Sequence, residues 1–297
     1  MLQVLWNGIF VGSFYALVAL GYGMVYGVIR LLNFAHGDLY MVGAFVGFVV
    51  LSALGAGAGG VGIPLLILAL LATMLATGLL GVALERLAYR PLRGSSRLSL
   101  LITAVGASFA LEYGVRLVAG ADPQVYPVRF DRAAIQVLEV RLSGEQLALI
   151  GFALALMGAL HVLVSRTRRG RAMRAIALDP RASALMGIDV NAVVSQTFFI
   201  GSALAGAAGF MAGAYYGKID FLMGFVIGLK AFTAAVIGGI GNIYGTMAGG
   251  ILLGLVESVG TSVLGGQWRD VLTFGVLILF LSIRPTGLWG TPVAERA

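Results

Sequence analysis

The chain has 297 residues, of which 59% are hydrophobic and only 11% charged, whereas a soluble globular domain carries roughly a quarter charged residues. That is too little charge to coat a water-facing surface, which excludes an ordinary soluble enzyme or binding module. The net charge of +7 is concentrated in two short arginine-rich connections, a distribution that suits membrane orientation better than nucleic-acid binding.

The expected fold class is therefore all-α, a polytopic transmembrane helix bundle of eight or nine spans. Apolar stretches near the ~20 residues needed to cross a bilayer core are placed at about 4–28, 38–54, 62–84, 98–118, 146–164, 191–215, 225–241, 245–265 and 269–284. The first has no cation before Arg30, so it lacks the basic leader of a cleaved signal peptide and is expected to stay as a membrane helix. Asn33, His36 and Asp38 read as a helix-start turn. The seventh and eighth stretches meet in Gly238-Gly239-Ile240-Gly241-Asn242-Ile243-Tyr244-Gly245, a tight turn or a helix break that leaves the seventh span open to being re-entrant.

Orientation follows from arginine. The connection 85–97 carries Arg86, Arg90, Arg93 and Arg97, and the connection 165–190 carries Arg166, Arg168, Arg169, Arg171, Arg174 and Arg181. Two spans separate them, so both belong in the cytoplasm and the connection 119–145 outside. Nine crossings then put the N-terminus outside and the C-terminus inside. The outer connection, partly alternating from Ala134 to Leu142, reads as a short hairpin or cap, so the whole of 1–297 is expected to form one transmembrane domain facing lipid.

An internal echo links the two halves. Asn33-Phe34, Gly37 and Ala44-Phe45 match Asp220-Phe221, Gly224 and Ala231-Phe232 at a constant offset, and the proposed topology would run the two copies in opposite directions, as in transporter inverted repeats. Small residues four apart, as in Gly201, Ala205, Gly209 and Gly213, suit close helix packing in lipid.

Within 165–190, Asp179-Pro180 is an N-cap and first-turn pair, and Gly187 a C-terminal stop. Between them a short helix would present Ala182, Leu185 and Met186, preceded by a second helical stretch from Arg171 to Leu178. Such helices suit a docking surface for a cytoplasmic partner or a seat on anionic lipid.

Ionisable residues inside the spans are candidates for the translocation path because burying them unpaired is costly. They are Glu112, set to pair with Arg116 one turn on, Lys230, which could instead snorkel outward, and Glu257. His161 lies near the cytoplasmic end of the fifth span. No cysteine is present and the two histidines are far apart, so no metal site is expected. The Gly238–Gly245 stretch lacks the Lys and Ser/Thr of a phosphate-binding loop, and no cofactor is expected. The residues alone leave two transport readings: a subunit driven by a partner's ATP hydrolysis, or an ion-coupled carrier using Glu112, Lys230 and Glu257. A pure scaffold is the third class.

The motifs Gly12-Ser13-Phe14-Tyr15-Ala16-Leu17, Asn33-Phe34-Ala35-His36-Gly37-Asp38, Glu85-Arg86-Leu87-Ala88-Tyr89-Arg90-Pro91, Gly170-Arg171-Ala172-Met173-Arg174-Ala175 and Gly228-Leu229-Lys230-Ala231-Phe232-Thr233 follow in order along nearly the whole chain. The chain resembles the membrane permease subunits of branched-chain amino-acid importers of the ATP-binding-cassette class. The resemblance implies that 165–190 is the coupling loop, with Arg171, Arg174, Ala175, Asp179, Ala182, Leu185, Met186 and Gly187 facing an ATPase. It also implies the partners: a second homologous permease subunit, two cytoplasmic ATPase subunits and a periplasmic amino-acid-binding protein, at a bacterial-type inner membrane. Similar permeases carry urea or short amides on such a frame, so the substrate stays open.

Overall fold

The computed structural model describes residues 1–55, 62–128, 134–137, 140–284 and 286–290. The Arg129, Arg132 and Glu139 of the outer connection, the Arg97 side chain, and Pro285 lie outside the described residues. Membrane-scale helices are α1 (Leu2–Ile29), α2 (His36–Ala53), α3 (Ile63–Leu84), α4 (Arg97–Ala119), α5 (Gly144–Arg166), α8 (Val190–Tyr216), α9 (Met223–Gly238), α10 (Ile243–Leu264) and α11 (Arg269–Ile283), with two short helices, α6 (Arg168–Leu178) and α7 (Pro180–Leu185), between α5 and α8. All but α9 belong to segments long and apolar enough to cross a membrane, so the protein is a multi-pass helix bundle.

The bundle is built on α1 and α8, which are almost wholly buried and run antiparallel. Phe10 of α1 packs its ring 4.4 Å from Tyr215 at the far end of α8, while Val25 and Val28 share a buried cluster with Val193, Val194 and Phe198. They cross at glycine: a Cβ on Gly201 would stand 3.2 Å from the Gly21 carbonyl, and one on Gly21 would fall on the His36 ring. Lipid offers no hydrophobic drive for helices to associate, so this close approach supplies dispersion contact instead.

Both central helices are long, 28 and 27 residues, and both hand over to short ones, α2 with 18 and α9 with 16. At 1.5 Å per residue α9 is only about 24 Å long, below the ~30 Å hydrocarbon core. The shortfall comes from the connection, which folds back into the bundle before the helix begins. After α1, residues 30–35 turn inward until the His36 Nε2 lies 3.2 Å from the Val18 carbonyl, well within the length of α1. Non-helical backbone at that depth is tolerated because protein surrounds it, and Leu31, Asn33 and Ala35 are buried.

The same device ends α8, and the match is residue by residue at a separation of 187 positions (30 to 217, 33 to 220, 36 to 223). Arg30 and Gly217 both leave their helix in the left-handed conformation, at φ 53 and φ 69. The His36 amide donates to the Asn33 carbonyl at 3.1 Å, and the Met223 amide to the Asp220 carbonyl at 3.4 Å. Packing mirrors it, since α1 lies chiefly on α10 and α8 chiefly on α3. The two halves are an inverted repeat, related by exchanging α1–α4 with α8–α11. Their half-buried partners meet on the axis, where a Cβ on Gly228 would stand 2.9 Å from the Gly37 Cα.

Among the described residues eight helical segments are long and apolar enough to cross a membrane, and α9, at 16 residues, is a shorter apolar helix set between α8 and α10. Between α9 and α10 the chain makes a turn, with Gly239 at φ 99, Gly241 at φ 95 and the Asn242 side chain capping Gly245 at 3.1 Å. The two arginine-rich connections lie at one end of the bundle, where Arg90 and Arg93 reach Ser195 at 2.8 Å and Asn191 at 2.7 Å. At the other end the outer connection forms a hairpin of β2 (Ala134–Val137) and β3 (Val140–Ser143), while β1 (Gln124–Val125) pairs antiparallel with β4 (Lys218–Ile219). Gln3 accepts from the Arg141 amide there at 2.8 Å.

At the arginine-rich end Glu85 is fully buried and holds Arg90 at 3.1 Å, Arg93, and the Ser195 hydroxyl at 2.6 Å. This clasp fastens the end of α3 to the start of α8.

Two stability outcomes follow. Gly209→Val forces a side chain onto the Tyr40 carbonyl and should cost about 1–3 kcal/mol or more through overpacking, lowering the thermal midpoint in detergent; Gly151→Ala faces open space within α5 and should leave it unmoved or slightly raised. Equal midpoints for the two variants would contradict the packing. Glu85→Gln should cost about 2–3 kcal/mol, below the usual loss for a fully buried pair because both guanidiniums already reach water; an unchanged midpoint would show the clasp to be idle.

Candidate functional site

Three polar constellations interrupt the apolar bundle. The first is the arginine-rich connection. Thr167 caps α6 by accepting from the Gly170 amide at 3.1 Å, and Asp179 caps α7 by accepting from the Arg181 and Ala182 amides at 2.8 and 3.0 Å. α6 begins one turn before the expected Arg171 because of that threonine. It buries Met173 and Ile176 against Val25, Val28, Val193 and Val194, so it is seated on both central helices. Its other face exposes Arg171, while Ala175 is half-buried. Arg174 is exposed as well, and its guanidinium donates to the Val164 carbonyl at the end of α5.

α7 is closed by an Ile188 amide bond to the Ser183 carbonyl at 3.1 Å with Gly187 at φ 83, a Schellman-type stop. It turns Ala182, Leu185 and Met186 outward, and Leu185 is 89% and Met186 83% exposed. A six-residue helix with this much apolar surface in the open is a rigid knob. Beside the seat of α6, a cavity of about 80 Å³ is lined by Gly23 and Gly27 of α1, Met173 and Ala177 of α6, and Ile243 and Thr246 of α10.

The second constellation lies at the opposite end, among α1, α9, α10 and α11. Lys230, buried mid-way along α9, stands 3.0 Å from Glu257 of α10 and 2.9 Å from Asp270 of α11. Glu257 is also buried, and it accepts from Arg269 at 3.0 Å, from the Tyr15 hydroxyl at 2.9 Å and from Thr273 at 3.3 Å. Lys230 therefore does not snorkel outward; it is the inner member of a four-charge network. Its sequence partners could not be found by helical spacing, because Tyr15 is 242 residues from Glu257. The adjacency of Arg269 and Asp270 at a span's start was the one local sign of it.

The third constellation sits where α2 and α9 begin. Asp38, fully buried in the first turn of α2, accepts from Ser108 of α4 with one oxygen. Its other oxygen has no hydrogen-bond partner and faces the first turn of α9 at Gly224, where two helix N-termini favour a negative charge. Asn33 accepts from the Tyr89 hydroxyl at 2.6 Å. Glu112 lies beyond Ser108 on α4, buried with one oxygen unpartnered. The expected Glu112–Arg116 pair is not formed: Arg116 lies instead over the rings of Phe221 and Tyr113, at 5.4 and 5.8 Å, because α4 turns it toward the aromatic start of α9. Glu112 thus belongs to this third constellation, while Lys230 and Glu257 pair with each other in the second.

Gly201, Ala205, Gly209 and Gly213 are all buried, with Gly201 against Gly21, Gly209 against the Tyr40 backbone and Gly213 against the Tyr126 ring. His161 lies near the arginine-rich end of α5, bonded to Tyr244 at 3.1 Å. Among the described residues no group of three or more side chains could hold a metal ion.

Comparison with known proteins places this architecture. Residues 4–281 match the family model described as branched-chain amino acid transport system / permease component. The chain is 45% identical to the high-affinity branched-chain amino acid transport system permease protein BraD of Pseudomonas aeruginosa, over 99% of this chain and 97% of that one. It is 39% identical to the corresponding permease protein LivH of Escherichia coli K12 over the same shares. Among solved structures it is similar in fold to PsaBC from Streptococcus pneumoniae in complex with Fab, with a TM-score of 0.50, 12% identity, and 96% and 93% of the two chains covered. With its inverted helical halves and its full-length match, the chain belongs to the family of branched-chain amino acid transport system permease components.

Proposed function

We propose that this chain translocates branched-chain amino acids across a bacterial-type inner membrane as one of two homologous permease subunits, energised by separate ATPase subunits that dock on α6–α7. The relatives at 45% and 39% identity support the substrate class. The observation that carries the coupling assignment is the exposed apolar knob Leu185–Met186 on a capped helix whose neighbour α6 is packed on α1 and α8. A loop serving orientation alone needs arginines but no such rigid apolar surface. A periplasmic binding protein would deliver substrate at the opposite, hairpin-bearing end.

In this reading the partner's movement enters at Leu185 and Met186 and reaches both central helices through Met173 and Ile176. Because α1 and α8 belong to different halves of the inverted repeat, one push acts on both halves at once. Arg174 and Asp179 act indirectly: the first ties α6 to α5, and the second fixes the angle at which α7 leaves α6.

Leu185→Asp places a charge on the knob, where nothing within the subunit depends on it. It should lower ATP-driven leucine uptake at least about tenfold, equivalent to about 1.4 kcal/mol of docking energy, and strip the ATPase subunits from the purified complex while membrane insertion stays normal. Full retention of the ATPases by that variant would remove the coupling role from α7.

A further inference from the structure

The outer charge network has an asymmetry that a simple structural staple does not require. Its two inner members, Lys230 and Glu257, are buried, with side chains only 3% and 4% exposed. Each is completed by an outer member of opposite charge that is more than half exposed, Asp270 at 58% and Arg269 at 56%. Those outer members are consecutive residues at the start of α11. They follow the short connection 265–268, a 3-10 turn entered through Gly265 at φ 95, and α11 itself has few buried residues, Thr273 among them.

The energetics differ on the two sides of each pair. An exposed charge loses little when it swings into water, since ion pairs at the surface are weak. A buried charge left behind is strongly disfavoured. Departure of the dipeptide leaves Lys230 and Glu257 paired with each other but each one charged partner short, so it is favoured when something else brings a carboxylate to Lys230 and a cation to Glu257. The two buried heads are 3.0 Å apart, so the replacement must carry both charges close together. A free α-amino acid does so, with ammonium and carboxylate on one carbon.

Resting on the transport reading above, we propose that Lys230 and Glu257 form a station for the zwitterionic head of a free α-amino acid, held in this conformation by Arg269 and Asp270 as a tethered stand-in. The substrate carboxylate takes the place of Asp270 on Lys230, and its ammonium the place of Arg269 on Glu257. Tyr15 and Thr273 are positioning residues that keep the Glu257 carboxylate oriented through their hydroxyls. A charge-for-charge exchange keeps both buried groups paired at every stage. Recognition here depends on the head group common to all amino acids and is blind to the side chain.

The chain has no cysteine, so Gln267→Cys supplies a single labelling site on the exposed turn beside the dipeptide. The permease assembled with its ATPase subunits in proteoliposomes, without binding protein, would be labelled with a thiol reagent in the presence of leucine, isocaproate (carboxylate alone) or isoamylamine (ammonium alone). Leucine at about 10 mM should raise the labelling rate about threefold as the stand-in leaves, while neither single-headed compound should do so. Adding Arg269→Gln and Asp270→Asn removes the competitor and should lower the leucine concentration needed to protect a Thr273→Cys reporter about tenfold, relative to that reporter with the dipeptide intact. The proposal is overturned if leucine acts no differently from the two single-headed compounds, or if removing the dipeptide leaves the half-effective concentration unchanged. ATP-driven leucine uptake with added binding protein, measured in the same vesicles, separates the two levels: normal uptake with no labelling response sinks the station alone, and absent uptake sinks the transport reading beneath it.

Discussion

The structure depends on two long helices meeting backbone to backbone near the middle of the bundle. Gly21 and Gly201 allow α1 and α8 to cross so closely that the His36 ring fills the remaining notch against Gly21. In water such a crossing would be one contact among many in a hydrophobic core. In lipid it carries more weight, because helices there gain little from excluding solvent and must gain from touching. Every other element is positioned by that crossing. α10 and α3 lie along the outer flanks of the pair, and α2 and α9 start beside its centre.

Charge is rationed to places where the bundle needs a fastening. At the arginine-rich end a fully buried Glu85 gathers Arg90, Arg93 and Ser195. At the hairpin-bearing end a buried Glu257 gathers Lys230, Arg269, Tyr15 and Thr273. In each case one carboxylate is shared among several donors, which satisfies its lone pairs and offsets the cost of removing it from water. The difference lies in the cations. At Glu85 both are arginines from the chain that immediately follows, a fixed arrangement. At Glu257 one cation is buried and the other stands at the mouth, an arrangement with a removable member.

The membrane character, the span positions and the two caps of the α6–α7 connection were legible in the sequence, because each rests on local rules: hydropathy over ~20 residues, arginine placement, and an Asp-Pro pair followed by Gly. The inverted repeat was legible only as a faint echo at Asn33-Phe34 and Asp220-Phe221, since its real signature is backbone conformation. Arg30 and Gly217 share a left-handed turn while having nothing in common as side chains. Glu112 and Arg116 show the opposite failure. Helical spacing makes them neighbours, yet Arg116 lies over Tyr113 of its own helix and the distant Phe221, while Glu112 takes a buried slot near Asp38. The network around Lys230 was out of reach beyond the adjacent Arg269-Asp270 pair, because its members come from four helices, with Tyr15 of α1 242 residues from Glu257.

The inverted repeat also bears on how a transport cycle could be driven. α2 and α9 meet through Gly37, Gly224 and Gly228 near the middle of the bundle, and each is hung from a central helix by a non-helical connection of six residues, 30–35 or 217–222. Such a connection has no internal helical hydrogen bonds to break, so it can change angle more cheaply than a helix can bend. The connections lie on opposite halves of α1 and α8. A tilt of the central pair, imposed from α6, would therefore move the two half-buried helices in opposite senses, loosening one side of the bundle as the other tightens. Alternation between two faces would then be a property of the fold's symmetry, and under the proposed coupling an ATPase partner would need to supply only the tilt.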